Sequence, residues 1–588
     1  MHSVSRLRFA TLLLISAVCG NARAADEFPL REPLSDLIRS EMRAKDVVGL
    51  SIAVVDDQKI VWTEGFGYAN RERKEPARAD TVYAVGGLTQ LFTAAAVMQW
   101  VDRGAIKLDQ PVQHYVPEFN MRTRNGTAHP ITVRQLLSHH GGLPAMHMRD
   151  MWSHQPEPLA AFVTRLQGET APFPPGLVYS PSFPGYDVLG RLIEHRCGQP
   201  FARCMKEQLL NPLGMTHSSF ELDAMALPNF AMHYWQDEPI SSQIVRDAPA
   251  AGLASTAREV AQLARMLFAD GRHDGRPILT RASAQELLRP QNTRVALDLD
   301  NRVAMPWKLY GIRFPQAHTV AWYSNQSPFS RGRVVLVPDH KLAVVVLANC
   351  SGATEAIEKI TERTLELLLA QRKTPPAETP RTELTAAAPP PKREDIVGHY
   401  ATTLGLITVT GDDNHYRAQL LGKTVQLYPT REGTLAPEYR LLGVLPIPLE
   451  VLREARISIV RLGGQPQAVA WYKNQTYRLG DRIPPVKLSA AWQRRLGEYQ
   501  AVERDALLTL VNIGNVRLAW LDGILQFRYR APGWLGLWIN VPVRPVSDTE
   551  LVVEGTGPYM GESLKIVLRD GKEVLRYSGY EFRQVGRP

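Results

Sequence analysis

Apolar and polar positions along the chain change their period several times. Leu50-Ser51-Ile52-Ala53-Val54-Val55 is a short, nearly unbroken apolar run. It predicts a strand, and Lys59-Ile60-Val61-Trp62 pairs with it across a turn at Asp56-Asp57. From Leu88 the spacing turns helical through Leu91, Phe92, Ala95, Val97, Met98 and Val101, and Gly104 ends that helix. Val334–Val337 and Leu342–Leu347 predict a hairpin around Pro338-Asp339-His340, and a long helix follows over about Thr354 to Leu369. Strands at both ends with helices between them predict an α/β (α+β) sandwich whose sheet is closed by N- and C-terminal segments.

Beyond residue 393 the pattern becomes all-β. Val516–Trp520 and Ile524–Tyr529 flank Asp522-Gly523, and Leu564–Leu568 and Val574–Tyr577 flank Asp570-Gly571. Asp-Gly between alternating strands is a strong hairpin signal, because the turn needs positive φ. Ile396-Val397-Gly398-His399-Tyr400 is echoed by Arg495-Leu496-Gly497-Glu498-Tyr499, a weak repeat that predicts two small antiparallel β-barrels. Between the two textures, residues 373–393 are rich in Pro, Ala and Thr, which favours an extended, semi-rigid linker. The expected organisation is a signal segment (1–24), an α/β domain (25–372), the linker (373–393) and barrels at 394–487 and 488–588. The 588 residues suit several domains at roughly 150 residues each.

Composition alters this picture little. The chain is 44% hydrophobic and 22% charged, an ordinary globular balance. Its net charge of +9 is scattered, so no nucleic-acid partner is expected. Arg6 and Arg8 precede the apolar run Phe9–Ile15, and Ala22-Arg23-Ala24 offers a cleavage point. That combination predicts export to the periplasm or medium of a bacterium, and no later segment predicts a membrane span. Cys197 and Cys204 are close enough in sequence to bridge in an oxidising compartment, although spacing alone leaves the bond open. His139, His140, His147 and His154 lack zinc-like spacing and read as loop and helix-end residues; no metal or cofactor is expected.

One stretch carries a resemblance. Tyr83-Ala84-Val85-Gly86-Gly87-Leu88-Thr89-Gln90-Leu91-Phe92 resembles the S-x-x-K segment of serine β-lactamases (class C-like), penicillin-binding proteins and D-aminopeptidases. Gly65–Ala69, Leu136-Leu137-Ser138-His139-His140-Gly141-Gly142-Leu143, Asn211–Met215 and Ala251–Thr256 resemble further segments of that family, in order. The resemblance implies a β-lactamase/DD-peptidase-like sandwich, and makes the two barrels similar to lipocalin-like domains attached to D-aminopeptidases. In such a site a serine at a helix N-terminus gains from the helix dipole, and a lysine three residues on draws off its proton from one turn away. Here those positions hold Gly87 and Gln90. Glycine has nothing to acylate, and a carboxamide is no base near neutral pH.

The other motifs depart as well. Where the family has Y-x-N, Pro181-Ser182-Phe183 stands. Where it has K-T-G or H-[S/T]-G, His318-Thr319-Val320 looks like the counterpart, with Val320 in place of glycine. The degenerate positions are therefore Gly87, Gln90, Pro181, Phe183 and Val320, with no catalytic residue expected. Gln90, Ser182, His318 and Thr319 are the candidates for binding in the groove. The expected function is that of a catalytically inactive relative in the cell envelope, binding a small peptide-like ligand (peptidoglycan-derived in the resemblance) or an envelope protein. The alternative is an active serine hydrolase (an esterase, D-aminopeptidase or β-lactamase-like enzyme) with a relocated nucleophile, for instance Ser182 with His318 as base. The sequence leaves the oligomeric state open.

Overall fold

The computed structural model describes residues 28–586 except 125–129, 222–226, 242–243, 326, 373–391, 413–414, 442–444, 448–449, 474, 506–507, 509–513 and 531–536. The expected signal segment and most of the expected linker lie outside the described residues.

The first domain is built on an antiparallel sheet. Its strands are β1 (Gly49–Asp56), β2 (Lys59–Asn70), β3 (Ala321–Asn325), β4 (Arg331–Val337) and β5 (Leu342–Ala348), in the order β3-β4-β5-β1-β2, with the short strand Glu75–Pro76 at the β2 edge. The N-terminal strand β1 lies between β2 and the C-terminal β5, in register Ile52↔Val346 and Ile52↔Glu64. The two ends of the domain thus share one sheet, as the alternation of elements predicted. β1 is buried almost throughout because both its faces are covered, which explains its near-continuous apolar run.

Leu50, Ile52 and Val54 face helices α1 (Arg31–Ala44) and α5 (Thr354–Gln371), while Ala53 and Val55 face the helical layer on the other side. That layer is centred on α2 (Thr89–Asp102), flanked by α3 (Phe183–Cys197) and α4 (Ala257–Phe268). Every side chain of α2 from Thr89 through Gln99 is buried, so α2 is a core helix covered on all sides rather than an amphipathic surface helix. Cys197, at the end of α3, is disulfide-bonded to Cys204, and Cys350 is a buried free thiol.

After the linker come two antiparallel β-barrels. In the first, strands from Gly398–Thr402 to Gln475–Ile483 form a sheet whose ends join where Lys423–Pro429 pairs with Leu435–Leu441, and Leu445–Ile447 is added outside the ring. The second is a closed barrel of eight strands, from Gly497–Ala501 to Tyr580–Gly586. The weak repeat marks the same joint in each. Tyr400 Oη donates to Ile396 O at 2.8 Å, and Tyr499 Oη donates to Arg495 O at 2.7 Å, both four residues back into the entering turn. Asp522 and Gly523, like Asp570 and Gly571, hold the positive φ their hairpin turns demand. No described helix is long and apolar enough to cross a membrane.

The second barrel docks on the first domain. Arg124 reaches Glu550 at 3.0 Å and Gly561 O at 2.6 Å, and the Ala145 N–H donates to Glu562 at 3.0 Å. Glu562 is buried there, and desolvation raises its carboxyl to about 7.

Candidate functional site

A cavity of about 580 Å³ opens where the start of α2, the end of β3 and the second barrel meet. Gly87 and Gln90 form its floor, Pro181 and Phe183 one wall, Met148, Trp152 and Phe329 much of the rest, and Pro558 and Tyr559 of the barrel its roof. Tyr559 holds a positive φ of 63° at the tip of the loop Glu554–Glu562. That loop is pinned below by Asp481, which accepts from Thr556 N–H at 2.5 Å, and by Arg478, which donates to Thr556 O at 2.6 Å.

Gly87 sits in the single 3₁₀ turn Gly86–Leu88 that leads into α2. The space beside it is free. A Cβ at Gly87 would meet Ser324 O at 3.5 Å and Asn325 Cα at 3.8 Å, both ordinary contacts. Glycine here is therefore no steric demand of the backbone. Gly86 differs: its φ is +50°, and a Cβ would collide with the Asn325 carboxamide at 2.1 Å.

Gln90 lies one turn on, 1% exposed. Its Oε1 accepts from Tyr323 Oη at 2.5 Å and lies 3.0 Å from His139 Nε2. His139 Nδ1 accepts from the Ser182 N–H at 3.2 Å, so the ring proton belongs on Nε2, which points at Gln90 Oε1 and Tyr323 Oη. Burial, helped by the neighbouring His140 and Lys308, lowers His139 to about 3, and burial raises Tyr323 above the usual tyrosine value. Gln90, His139 and Tyr323 therefore form a neutral, mutually satisfied trio at physiological pH. Nothing in it is poised to take a proton from a group at position 87.

The donor at the start of α2 is also occupied. The Gly87 N–H donates to Asn325 Oδ1 at 3.1 Å, and the same oxygen accepts from the Ser327 N–H at 3.0 Å. Asn325 Nδ2 donates to Ser330 Oγ at 2.9 Å, which holds the carboxamide in place. A nucleophile's own backbone N–H is a usual donor to the oxyanion of acyl transfer. Here a side-chain oxygen of the same protein already sits on it.

The structure brings Gly87, Gln90, Pro181 and Phe183 together and separates the other candidates. Ser182 caps α3: its Oγ accepts from the Gly185 N–H at 3.0 Å and donates to Pro144 O at 2.6 Å. Its hydroxyl does not line the cavity. The expectation that His318, Thr319 and Val320 line the groove is corrected. They precede β3, with the His318 and Thr319 N–H groups on Asp339 Oδ2 at 2.7 and 3.1 Å, and Val320 packs with α1 and α5 in the core on the other face of the sheet. The residues on the site end of that strand are Tyr323-Ser324-Asn325. The resemblance misplaced the motif because His318-Thr319 offers the expected residue types a few positions too early. The pairing of β3 with β4, Tyr323↔Val334 and Asn325↔Gly332, decides which end reaches α2.

Sequence reasoning also missed His139, Tyr323, Asn325 and Tyr559. For His139 a signal existed, since it stands in the recognised Leu136–Leu143 segment. Its φ of +60° turns its ring away from the short helix Val133–Leu137. Thr89 is spent structurally, its Oγ1 accepting from the Leu253 N–H at 3.1 Å. Among the described residues no group of three or more His, Cys, Asp or Glu side chains is arranged to hold a metal.

This architecture, an antiparallel sheet flanked by helices with the site at the start of a buried central helix, is that of the β-lactamase-like serine hydrolases. The Beta-lactamase family model matches residues 34–356, more than half of the chain, and the chain belongs to that family. It is 28% identical over 192 residues to Protein flp of Staphylococcus aureus, covering 32% of this chain and 38% of that protein. It is 29% identical over 234 residues to Esterase EstB of Burkholderia gladioli, covering 37% of this chain and 59% of that protein. These matches span less than two thirds of each relative. Among solved structures, the octameric penicillin-binding protein homologue from Pyrococcus abyssi matches with a TM-score of 0.50 at 23% identity, over 77% of this chain and 98% of that one. SurE with D-Leu matches with a TM-score of 0.55 at 22% identity, over 77% and 99%. At such identities the likeness is one of fold.

Proposed function

We propose that this chain is a non-acylating member of its family that holds a small peptide-like ligand reversibly in the cavity between α2, β3 and the second barrel. One observation carries the reading: the side chain one helical turn from Gly87 is a buried carboxamide held by Tyr323 and His139, where acyl transfer needs a base beside a nucleophile. Two hydroxyls nearby are committed elsewhere, Ser182 to the α3 cap and Thr89 to Leu253. What remains suits recognition. The cavity is walled mostly by aromatic and aliphatic side chains, and the Gln90 and Tyr179 polar groups border it. The size falls in the range of small-molecule sites, roughly 300–1,000 Å³. The N-terminal segment supports action outside the cytoplasm, and the fold supports a ligand related to those of penicillin-binding proteins.

Calorimetry with benzylpenicillin and with a D-Ala-D-Ala peptide, followed by dialysis, tests this. The reading expects saturable heat from at least one of them, full recovery of the free protein on dialysis, and loss of the heat in Phe183→Asp. A ligand that cannot be dialysed away, or heat unchanged in that variant, contradicts it.

A further inference from the structure

The outer wall of the second barrel carries a cluster of charge that the cavity does not use. Its strands β6 (Asn515–Leu521), β7 (Ile524–Arg530) and β8 (Trp538–Ser547) are neighbours. Leu518, Phe527 and Val543 point into the barrel core, so the alternate positions point out. There Arg517 lies directly across from Arg528, Arg528 across from Asn540, and Arg530 across from Trp538. The guanidinium carbons of Arg528 and Arg530 lie 5.2 and 5.5 Å from the centre of the Trp538 ring, which is 37% exposed.

Like charges directly opposite each other on neighbouring strands destabilise a sheet. Other arginines of the barrel find carboxylates: Arg495 pairs with Glu573 at 2.6 Å, Arg544 with Glu554 at 3.2 Å and Arg569 with Glu503 at 2.8 Å. Among the described residues, Arg517, Arg528 and Arg530 make no ion pair, although Glu498 stands across from Arg517 on the neighbouring strand. The adjoining segments 509–513 and 531–536 contain no Asp or Glu in their sequence. Asn540 Oδ1 takes one Arg528 N–H at 2.8 Å, and the Arg517 Nε is buried with no partner. Burial and the adjacent Arg517 both hold Arg528 below its ordinary value, the direction that a bound anion would reverse. The patch borders the seam with the first barrel, whose Gly405 packs against the Asn540 backbone.

We propose that Arg517, Arg528, Arg530 and Trp538 form a binding site for an acidic glycan. The guanidinium forks take carboxylates or phosphates on successive sugars, and the exposed part of the Trp538 ring takes a sugar C–H face. Arginine suits the first task because its planar fork matches such anions bidentately. Neutral glycans lack the counter-charge, and a purely inorganic anion leaves Trp538 idle. None of these four residues lines the α2 cavity, and the site stands whether or not that cavity binds a ligand.

The test immobilises polygalacturonate as an acidic glycan, dextran as a neutral one, and phosphatidylglycerol vesicles, and measures binding of the full mature chain to each at low salt. The site expects binding to polygalacturonate alone. The combined variant Arg517→Gln/Arg528→Gln/Arg530→Gln should weaken it about tenfold or more, and Trp538→Ala several-fold. The control Arg73→Gln/Arg203→Gln/Arg363→Gln removes the same charge from exposed arginines that already pair with Glu75, Glu207 and Glu366. It should leave binding within about twofold. Equal weakening by the control means diffuse charge and overturns the proposal. So do binding to vesicles alone, no binding to polygalacturonate, and binding unaffected by the first variant. Melting temperatures check that each variant is folded. Arg528→Gln alone should melt no lower than the parent, because it relieves the opposed charges.

Discussion

Rebuilding the acylating pair asks the structure a quantitative question. Gly87→Ser introduces a side chain where the nearest atoms stand 3.5 Å or more from the new Cβ, and where φ is not positive, so the backbone accepts it. Gln90→Lys places an amine between His139 Nε2 and Tyr323 Oη, in a buried setting that lowers its pKa toward the range of a useful base. The new serine still finds its own N–H donating to Asn325 Oδ1 at 3.1 Å. A single lost oxyanion donor slows acyl transfer by about 10²–10³, or roughly 3–4 kcal/mol. The double variant should therefore acylate slowly or not at all, and adding Asn325→Ala should speed it by about 10²-fold or more. Asn325→Asp, which keeps an acceptor oxygen on the Gly87 N–H, should give no such gain. The assay is the rate of covalent labelling by a fluorescent penicillin, with melting temperatures as a folding check. If double and triple variants label at the same rate, the carboxamide is not what blocks the site, and the reasoning fails.

Further expectations rest on other buried groups. Burial lowers His139 and His147 to about 3 and His233 to about 4, so the unfolded chain binds protons that the native one refuses. Stability should fall as pH drops from about 6.5 toward 4, by up to about 1.4 kcal/mol per pH unit for each histidine, and urea titrations across that window check it. Asp187 is fully buried, both its oxygens lack a hydrogen-bond partner, and desolvation and Asp247 raise its carboxyl well above the usual range. Its ionisation costs the native state increasingly as pH rises above the unfolded value near 4. Asp187→Asn should therefore raise the melting temperature more at pH 8 than at pH 5. Glu562→Ala removes the acceptor of the Ala145 N–H, a loss of about 1–3 kcal/mol at the barrel contact. Hydrogen exchange should then quicken in residues 142–148 and 554–562 while the core of the sheet stays protected.

The fold was legible where one rule decides the local structure. The β1 run, the α2 spacing, the Asp-Gly hairpins and the repeated glycine-tyrosine joint of the barrels all appear where pattern reading puts them. Those features are set by residues close in sequence. The site was half legible. Gly87 and Gln90 lie one turn apart on a single helix, so their relation follows from helix geometry alone. The ring of His139, the hydroxyl of Tyr323 and the carboxamide of Asn325 arrive from elements 49 to 238 residues away. Only strand register and the left-handed turn at His139 bring them there. His318 and Thr319 mislead for the same reason: their residue types fit, but the β3–β4 pairing carries them past the wrong end of the strand. The roof residue Tyr559 belongs to another domain, and no local pattern announces a contact across the linker.

The central claim is that the cavity floor holds no activated hydroxyl able to form a bond with a ligand. Intact-mass spectrometry of the purified protein, after prolonged exposure to a fluorophosphonate and, separately, to a penicillin, tests it most directly. The account predicts an unchanged mass with both reagents. A stoichiometric adduct mapped by peptide sequencing to any serine, threonine or tyrosine lining the cavity would contradict it.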